Sequence, residues 1–155
     1  MLFIPENCAV VEGASPQVSG AGAVTADYIC LKNVHKAYIV VHMTQGNAAT
    51  TVIQPIKATG DAVGNTNITA AARIWADEDC VASDALVKQT SATSFTTSAA
   101  VKHKIVIIEI DPAALGETYD WLSVSIGDSH ADNIFDVMYY LDTRYPQATP
   151  PTAIA

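Results

Sequence analysis

The chain has 155 residues, half of them hydrophobic and only 15% charged, against about 25% charged in an average soluble domain. That suffices for one domain with a sizeable core, since a folded chain of this size hides roughly two-thirds of its surface. Sixteen acidic against eight basic residues leave a net charge of -8, which repels phosphate backbones and anionic lipid and argues against direct nucleic-acid or membrane partners.

The first residues, MLFIPENC, show no basic stretch ahead of an apolar one and meet Pro5 and Glu6 at once. Neither a signal peptide nor a membrane span is expected there, and no later apolar run approaches the roughly 18 residues of a spanning helix. Residues 9–26, AVVEGASPQVSGAGAVTA, are small, Gly-rich and unpatterned, so residues 1–26 read as an extended N-terminal arm.

From there, runs of β-branched and aromatic residues recur between turn signals, about eight in all. They are DYICLK (27–32), KAYIVVHMT (36–44), TTVIQPIKA (50–58), AARIWADE (71–78), SFTTSA (94–99), HKIVIIEI (103–110), YDWLSVSIG (119–127) and NIFDVMYYLD (133–142). Gln45-Gly46-Asn47, the stretch from Gly60 to Asn65, Asp111-Pro112, Gly116 and Gly127-Asp128 punctuate them. Helix is confined to single turns: one over 83–89 capped by Ser83, another over 112–115 with Asp111 as cap and proline in the first turn.

Alternation is clearest in the last two runs. Leu122, Val124 and Ile126 share one face, opposite Tyr119, Trp121 and Ser123, while Phe135, Val137, Tyr139 and Leu141 oppose Ile134, Asp136, Met138 and Tyr140. Residues 39–43 and 105–108 are apolar on both faces, so these strands are central in a sandwich or covered outside by another chain. Pro55 cannot donate to a ladder and places its strand at an edge or a bulge. Short strands without crossover helices predict an all-β fold, a two-sheet antiparallel β-sandwich of jelly-roll type with about eight strands and extended N- and C-terminal arms. The domain spans residues 27–145. Beyond it Pro146, Pro150 and Pro151 stiffen a C-terminal tail, 146–155, toward polyproline II.

Residues that could carry chemistry are present but poorly grouped. His42 alternates with packed strand positions, and His103 lies between Lys102 and Lys104, which would repel a metal ion. His35 and His130 lack companions. The turn from Asp128 to Asp132 lacks the glycine and closing glutamate of an EF-hand loop. The acidic run Asp77-Glu78-Asp79 reads as solvated surface or a docking patch for basic groups. No GxSxG is present, and Gly20-Ala21-Gly22 lacks the third glycine and preceding strand of a dinucleotide site. A carboxylate pair built on Glu109 remains open to a sandwich, but nothing singles out its partner. Cys8, Cys30 and Cys80 are odd in number and contain no CxxC, and they read as reduced thiols. No catalytic residue, metal or cofactor is expected.

Tyr140 beside Met138 makes an apolar outer face on the last strand, and tyrosine and methionine are enriched at protein interfaces. The candidate interface comprises Trp121, Met138, Tyr140, Arg144, Tyr145 and Pro146. Trp121 and Tyr140 also serve the alternative reading, a carbohydrate-binding β-sandwich on a virion or cell surface.

The order of motifs adds to this: QGNAAT after the second run, IWADEDCVASDALVKQT, SFTTSAAVKHKIVIIEIDPAALG, then YDWLSVSIGDSHADNIFDVMYYLDTRYP. The arrangement, over roughly residues 27–146, resembles the capsid decoration, cement or head-stabilisation proteins of tailed bacteriophages. Its most specific parts are Ile108 to Leu115 and the close Arg144-Tyr145-Pro146, while residues 146–155 run past the expected end of the likeness. The resemblance implies a jelly roll without enzymatic activity that forms homodimers or homotrimers. It implies a protein made in the host bacterial cytoplasm that binds the major capsid protein on the exterior of an icosahedral virion.

Overall fold

A computed structural model describes residues 8–145. It contains twelve strands and one 3₁₀ turn: β1 (Cys8–Val18), β2 (Val24–Thr25), β3 (Ile29–Cys30), β4 (Val34–Gln45), β5 (Val52–Ala58), β6 (Thr66–Asn67), β7 (Arg73–Asp77), β8 (Val87–Lys88), β9 (Phe95–Thr96), β10 (His103–Ile110), the turn Pro112–Leu115, β11 (Trp121–Ile126) and β12 (Asn133–Thr143). Every pairing is antiparallel.

The chain passes back and forth between two sheets. One runs β1-β12-β4-β10-β7-β8 and the other β2-β11-β5-β6, with β3 also paired to β11 and β9 to β5. Four strands of the first sheet, β1-β12-β4-β10, against β2/β3-β11-β5-β6/β9 reproduce the strand order of a jelly roll. The hairpin β7–β8 is an insertion. It leaves the second sheet between β6 and β9, extends the first sheet beyond β10, and splits the strand beside β5 into two short pieces.

Pro55 fits that split. Its carbonyl accepts from the Ile68 amide, so its missing N–H points to the same flank of β5, into the gap between β6, which pairs with Ile56 and Lys57, and β9, which pairs with Val52 and Ile53. No ladder bond is lost there.

Between the sheets lie Ile39, Val41 and Met43 of β4, Val106, Ile108 and Ile110 of β10, and Phe135, Val137, Tyr139 and Leu141 of β12. They pack against Ile53, Leu122, Val124 and Ile126 of the second sheet, all buried. The alternation seen in the sequence therefore marks the inner faces, at about 1.5–3 kcal/mol for each large apolar side chain removed from water.

Two expectations are corrected. Residues 9–26 are not a free arm: β1 pairs with β12 from Cys8↔Asp142 to Val18↔Ile134, with bulges after Glu12 and Ala14, and β2 follows in the second sheet. The small residues that spoil a hydrophobic pattern are those the bulges and close packing require. Residues 83–89 form no helical turn, because Val87 and Lys88 pair with Ala76 and Trp75 as β8. The turn Pro112–Leu115 does form, with the Asp111 side chain accepting from the Ala113 amide.

Candidate interaction surface

Because β4 and β10 lie inside the first sheet, their second apolar face points outward, away from the core. Directly opposed residues in antiparallel strands share a face, so the register lays out side-chain rows across this sheet. One row runs Glu12, Met138, Val40, Ile107, Trp75, Lys88, through all six strands. Its four central members are apolar and half-buried, and its ends are exposed and oppositely charged. At about 4.8 Å per strand the row is about 24 Å long.

The neighbouring row is Val10, Tyr140, Tyr38, Glu109 and Arg73. On the other side come Asp136, His42, Ile105 and Asp77. Near the end of the sheet, Val18 stands opposite Ile134, and these two are 41% and 44% exposed. Ion pairs border the apolar patch. The Glu109 carboxylate accepts from Lys36 at 2.7 Å and faces Arg73 at 3.5 Å, and His42 Nδ1 lies 3.3 Å from Asp136 Oδ1. The glutamate hydrogen bond raises the Lys36 pKa above its ordinary value. Of the carboxylates near the patch, Glu109 is paired with Lys36 and Arg73 and Asp136 faces the His42 ring, while Asp77 and Glu12 have no cationic partner among the described residues.

The candidate interface residues separate into groups. Met138 and Tyr140 lie in adjacent rows of this outer face. Arg144 and Tyr145 are exposed just past the end of β12, where the Arg144 amide donates to the Asn33 carbonyl. Trp121 lies on β11 of the opposite sheet, between Cys30 and Ala58, so one flat surface cannot hold it together with Met138 and Tyr140. Pro146, like the rest of the tail, is outside the described residues. Sequence reasoning left out Tyr38, Val40, Ile105, Ile107 and Trp75, although the doubly apolar runs 39–43 and 105–108 were the signal that could have found three of these five neighbours, Val40, Ile105 and Ile107.

The acidic run is used within the fold. Asp77 Oδ1 accepts from the Asp79 amide, Glu78 Oε1 from the Ser98 amide, and Asp79 pairs with Lys102 at 3.0 Å, a contact that holds its carboxyl below the usual range. In the turn 128–132, Asp128 accepts from the Gly22 amide and His130 Nδ1 from the Asp132 amide. Among the described residues no group of three or more His, Cys, Asp or Glu side chains is placed to hold a metal ion, and no helix is long and apolar enough to cross a membrane.

No family model matches the chain, and no curated protein matches it. Among solved structures it is similar in fold to the SPBc2 prophage-derived protein YomS, at a TM-score of 0.48 and 9% identity, over 86% of this chain and 91% of that one.

Proposed function

We propose that this chain is a non-enzymatic virion structural protein that binds the exterior of an icosahedral phage capsid and stabilises it by bridging capsid subunits. The observation that carries the reading is the apolar row Met138, Val40, Ile107 and Trp75 on the outside of the first sheet. A chain with net charge -8 keeps a band of aliphatic and aromatic side chains free of charge across four strands, which is the composition of an interface core. The order of motifs, with its likeness to capsid decoration proteins, supports the same role. Assembly through this face would set several capsid-binding surfaces side by side, so that weak contacts sum by avidity.

The test uses capsids of the encoding phage or prophage, purified without this protein. Co-sedimentation of the added chain and a raised capsid disruption temperature support the role. Capsids that neither retain the protein at saturating concentration nor gain stability overturn it. Glycan-array binding lost on Trp121→Ala or Tyr140→Ala, with the fold intact, would favour the carbohydrate-binding alternative. The half-buried state of both rings and the aliphatic neighbours of Tyr140 favour the assembly reading over it.

A further inference from the structure

We infer that the cleft beneath the hairpin β7–β8 takes an extended segment of another protein, which adds to the free edge of β9 as a further strand of the second sheet and carries one basic side chain among small apolar ones. The inference goes beyond the role proposed above and does not use the apolar row of the first sheet.

The inserted hairpin leaves the two sheets unequal. Four strands of the first sheet stand against the second, and β7 and β8 run on beyond β10, so no strand of the second sheet lies under β8. Val87 of β8 pairs with Ala76 of β7 and shares its face. Ala76 is 2% exposed, whereas Val87 is 59% exposed. The inner face is thus covered at β7 and bare at β8. Below it lies a cleft of about 660 Å³, lined by Ala76, Val87, Phe95 and Thr96 and by Glu78 and Lys102. Ligand pockets typically measure about 300–1,000 Å³.

One wall of the cleft is a strand edge. Among the described residues β9 pairs only with β5, through Val52↔Thr96 and Ile53↔Phe95. The Thr97 amide donates to the Thr51 carbonyl. Main-chain groups of successive residues in an antiparallel strand point to alternate sides, so the Thr96 amide and carbonyl point away from β5. The Ser98 amide, which points the same way, donates to Glu78 Oε1 at 2.9 Å. The Thr96 donor and acceptor are therefore what this edge still offers, and an added strand satisfies such groups on both sides. Neighbouring strands are about 4.8 Å apart and packed sheets about 10 Å. A strand beside β9 would accordingly lie under β7 and β8 as the counterpart they lack, with alternate side chains directed at Val87.

Charge narrows the choice of segment. Asp77, Glu78, Asp79 and Lys102 all line the cleft. Asp79 is paired with Lys102 at 3.0 Å, and the charge of Glu78 acts on the buried Lys104 ammonium. Asp77 is 7% exposed and meets no cation among the described residues. Three carboxylates against two ammonium groups leave one negative charge in excess, which a single lysine or arginine of the incoming segment neutralises. An acidic or wholly apolar segment would cover that charge and leave it unpaired.

A displayed library of random seven-residue peptides, panned against the full chain with no capsid present, tests the inference. The expected result is enrichment of peptides with alanine or β-branched residues at alternate positions and a single lysine or arginine. Added as synthetic peptides to the nitrogen-15-labelled chain, the enriched sequences should shift the Thr96 and Val87 amides and leave those of Val10 and Met138 in place. Thr96→Pro removes the outward donor without breaking a bond to β5 and should weaken binding at least about tenfold. Val87→Glu should do the same, and Asp77→Asn should remove the preference for a basic residue, with circular dichroism showing the parent fold in each. No enrichment over background, acidic winners, or binding indifferent to both Thr96→Pro and Val87→Glu overturns the inference. Concentration-dependent shifts at Thr96 without peptide would give the edge to a second copy and overturn it as well. Because capsid binding is measured separately, a chain that binds these peptides but ignores capsids sinks the capsid role alone, and the converse sinks this inference alone.

Discussion

The ring of Tyr139 lies against the backbone of Gly13, so close that a Cβ on Gly13 would stand 2.4 Å from Cε2 of the ring. The Tyr139 hydroxyl donates to the Asp27 carbonyl at 3.0 Å, and the Asp27 amide donates to the Gly13 carbonyl at 2.8 Å. One core side chain thereby fastens the first bulge of β1 to the link between β2 and β3.

Gly13→Ala should accordingly destabilise the protein by about 1–3 kcal/mol through overpacking, measured as a lower urea midpoint. Tyr139→Phe should cost about 0.5–1.5 kcal/mol for the hydroxyl alone. Because the clash is with the ring, Tyr139→Leu should recover part of the Gly13→Ala loss, and a double-mutant cycle would show that non-additivity. An unchanged midpoint in Gly13→Ala would show that the ring is not packed there.

The same contact explains what the sequence hid. Runs with β-branched, alternating residues disclosed β4, β5, β7, β10, β11 and β12, because each packs one face on the core and carries that period in its side chains. β1 carries no such period. Its bulges change the facing of successive residues, and Gly13 is small because Tyr139 occupies the space where a side chain would stand. The two-residue strands β2, β6 and β8 are held by a few ladder bonds and leave no periodic trace. The layout of the candidate surface was half legible for a related reason. Parity along a strand tells which residues share a face, so Met138 and Tyr140 were placed together on the outer side of their strand, but it cannot tell which sheet a strand joins, so Trp121 was grouped with residues of the opposite sheet.

Lys104 is fully buried on the inner side of β10, where Nζ donates to the Ser98 carbonyl at 2.6 Å and to Ser98 Oγ at 2.9 Å. Desolvation pushes its pKa down, with Glu78 opposing. Between the lowered folded value and the ordinary lysine value of about 10.4, the unfolded chain binds more protons, so this residue makes stability rise with pH and its penalty is gone above that window. Burial of the Tyr139 phenol acts in the opposite sense at high pH, since its pKa is raised, so the comparison must be made against Lys104→Met. Gln45 Nε2 still donates to the Ser98 carbonyl in that variant. Urea unfolding should find it within about 1 kcal/mol of the parent at neutral pH or more stable, with the difference between the two proteins moving in the parent's favour as pH rises through the window. A constant difference across alkaline pH would contradict this.

Lys57 holds the 3₁₀ turn to the second sheet. Its Nζ donates to the Leu115 carbonyl at 2.9 Å and lies 4.2 Å from the centroid of the Tyr119 ring. Lys57→Met keeps the aliphatic stem but removes both polar contacts, and should cost about 1–3 kcal/mol. Hydrogen exchange should accelerate at the Ala114 and Tyr119 amides, which close the turn, and stay unchanged in β4 and β12. Uniform acceleration over all strands would show instead that the contact supports global stability only.

Cys8 and Cys80 offer a local readout of how firmly the edges are held. Both thiols are partly buried, and burial pushes both upward in pKa, with Asp142 near Cys8 and Asp77 near Cys80 adding to the effect. Little thiolate forms at neutral pH, so alkylation of either should be slower in the folded protein than in denaturing urea. The two differ in what shields them: Cys8 depends on the pairing of β1 with β12, through Cys8↔Asp142, whereas the Cys80 amide donates to the His103 carbonyl next to the hairpin β7–β8. Gly13→Ala, which strains β1 alone, should therefore speed alkylation of Cys8 and leave Cys80 at the parent rate, as mass spectrometry of the labelled peptides would show. Equal acceleration at both would mean that β1 opens only when the whole sandwich does, because local release of an edge strand exposes only the thiol on that strand.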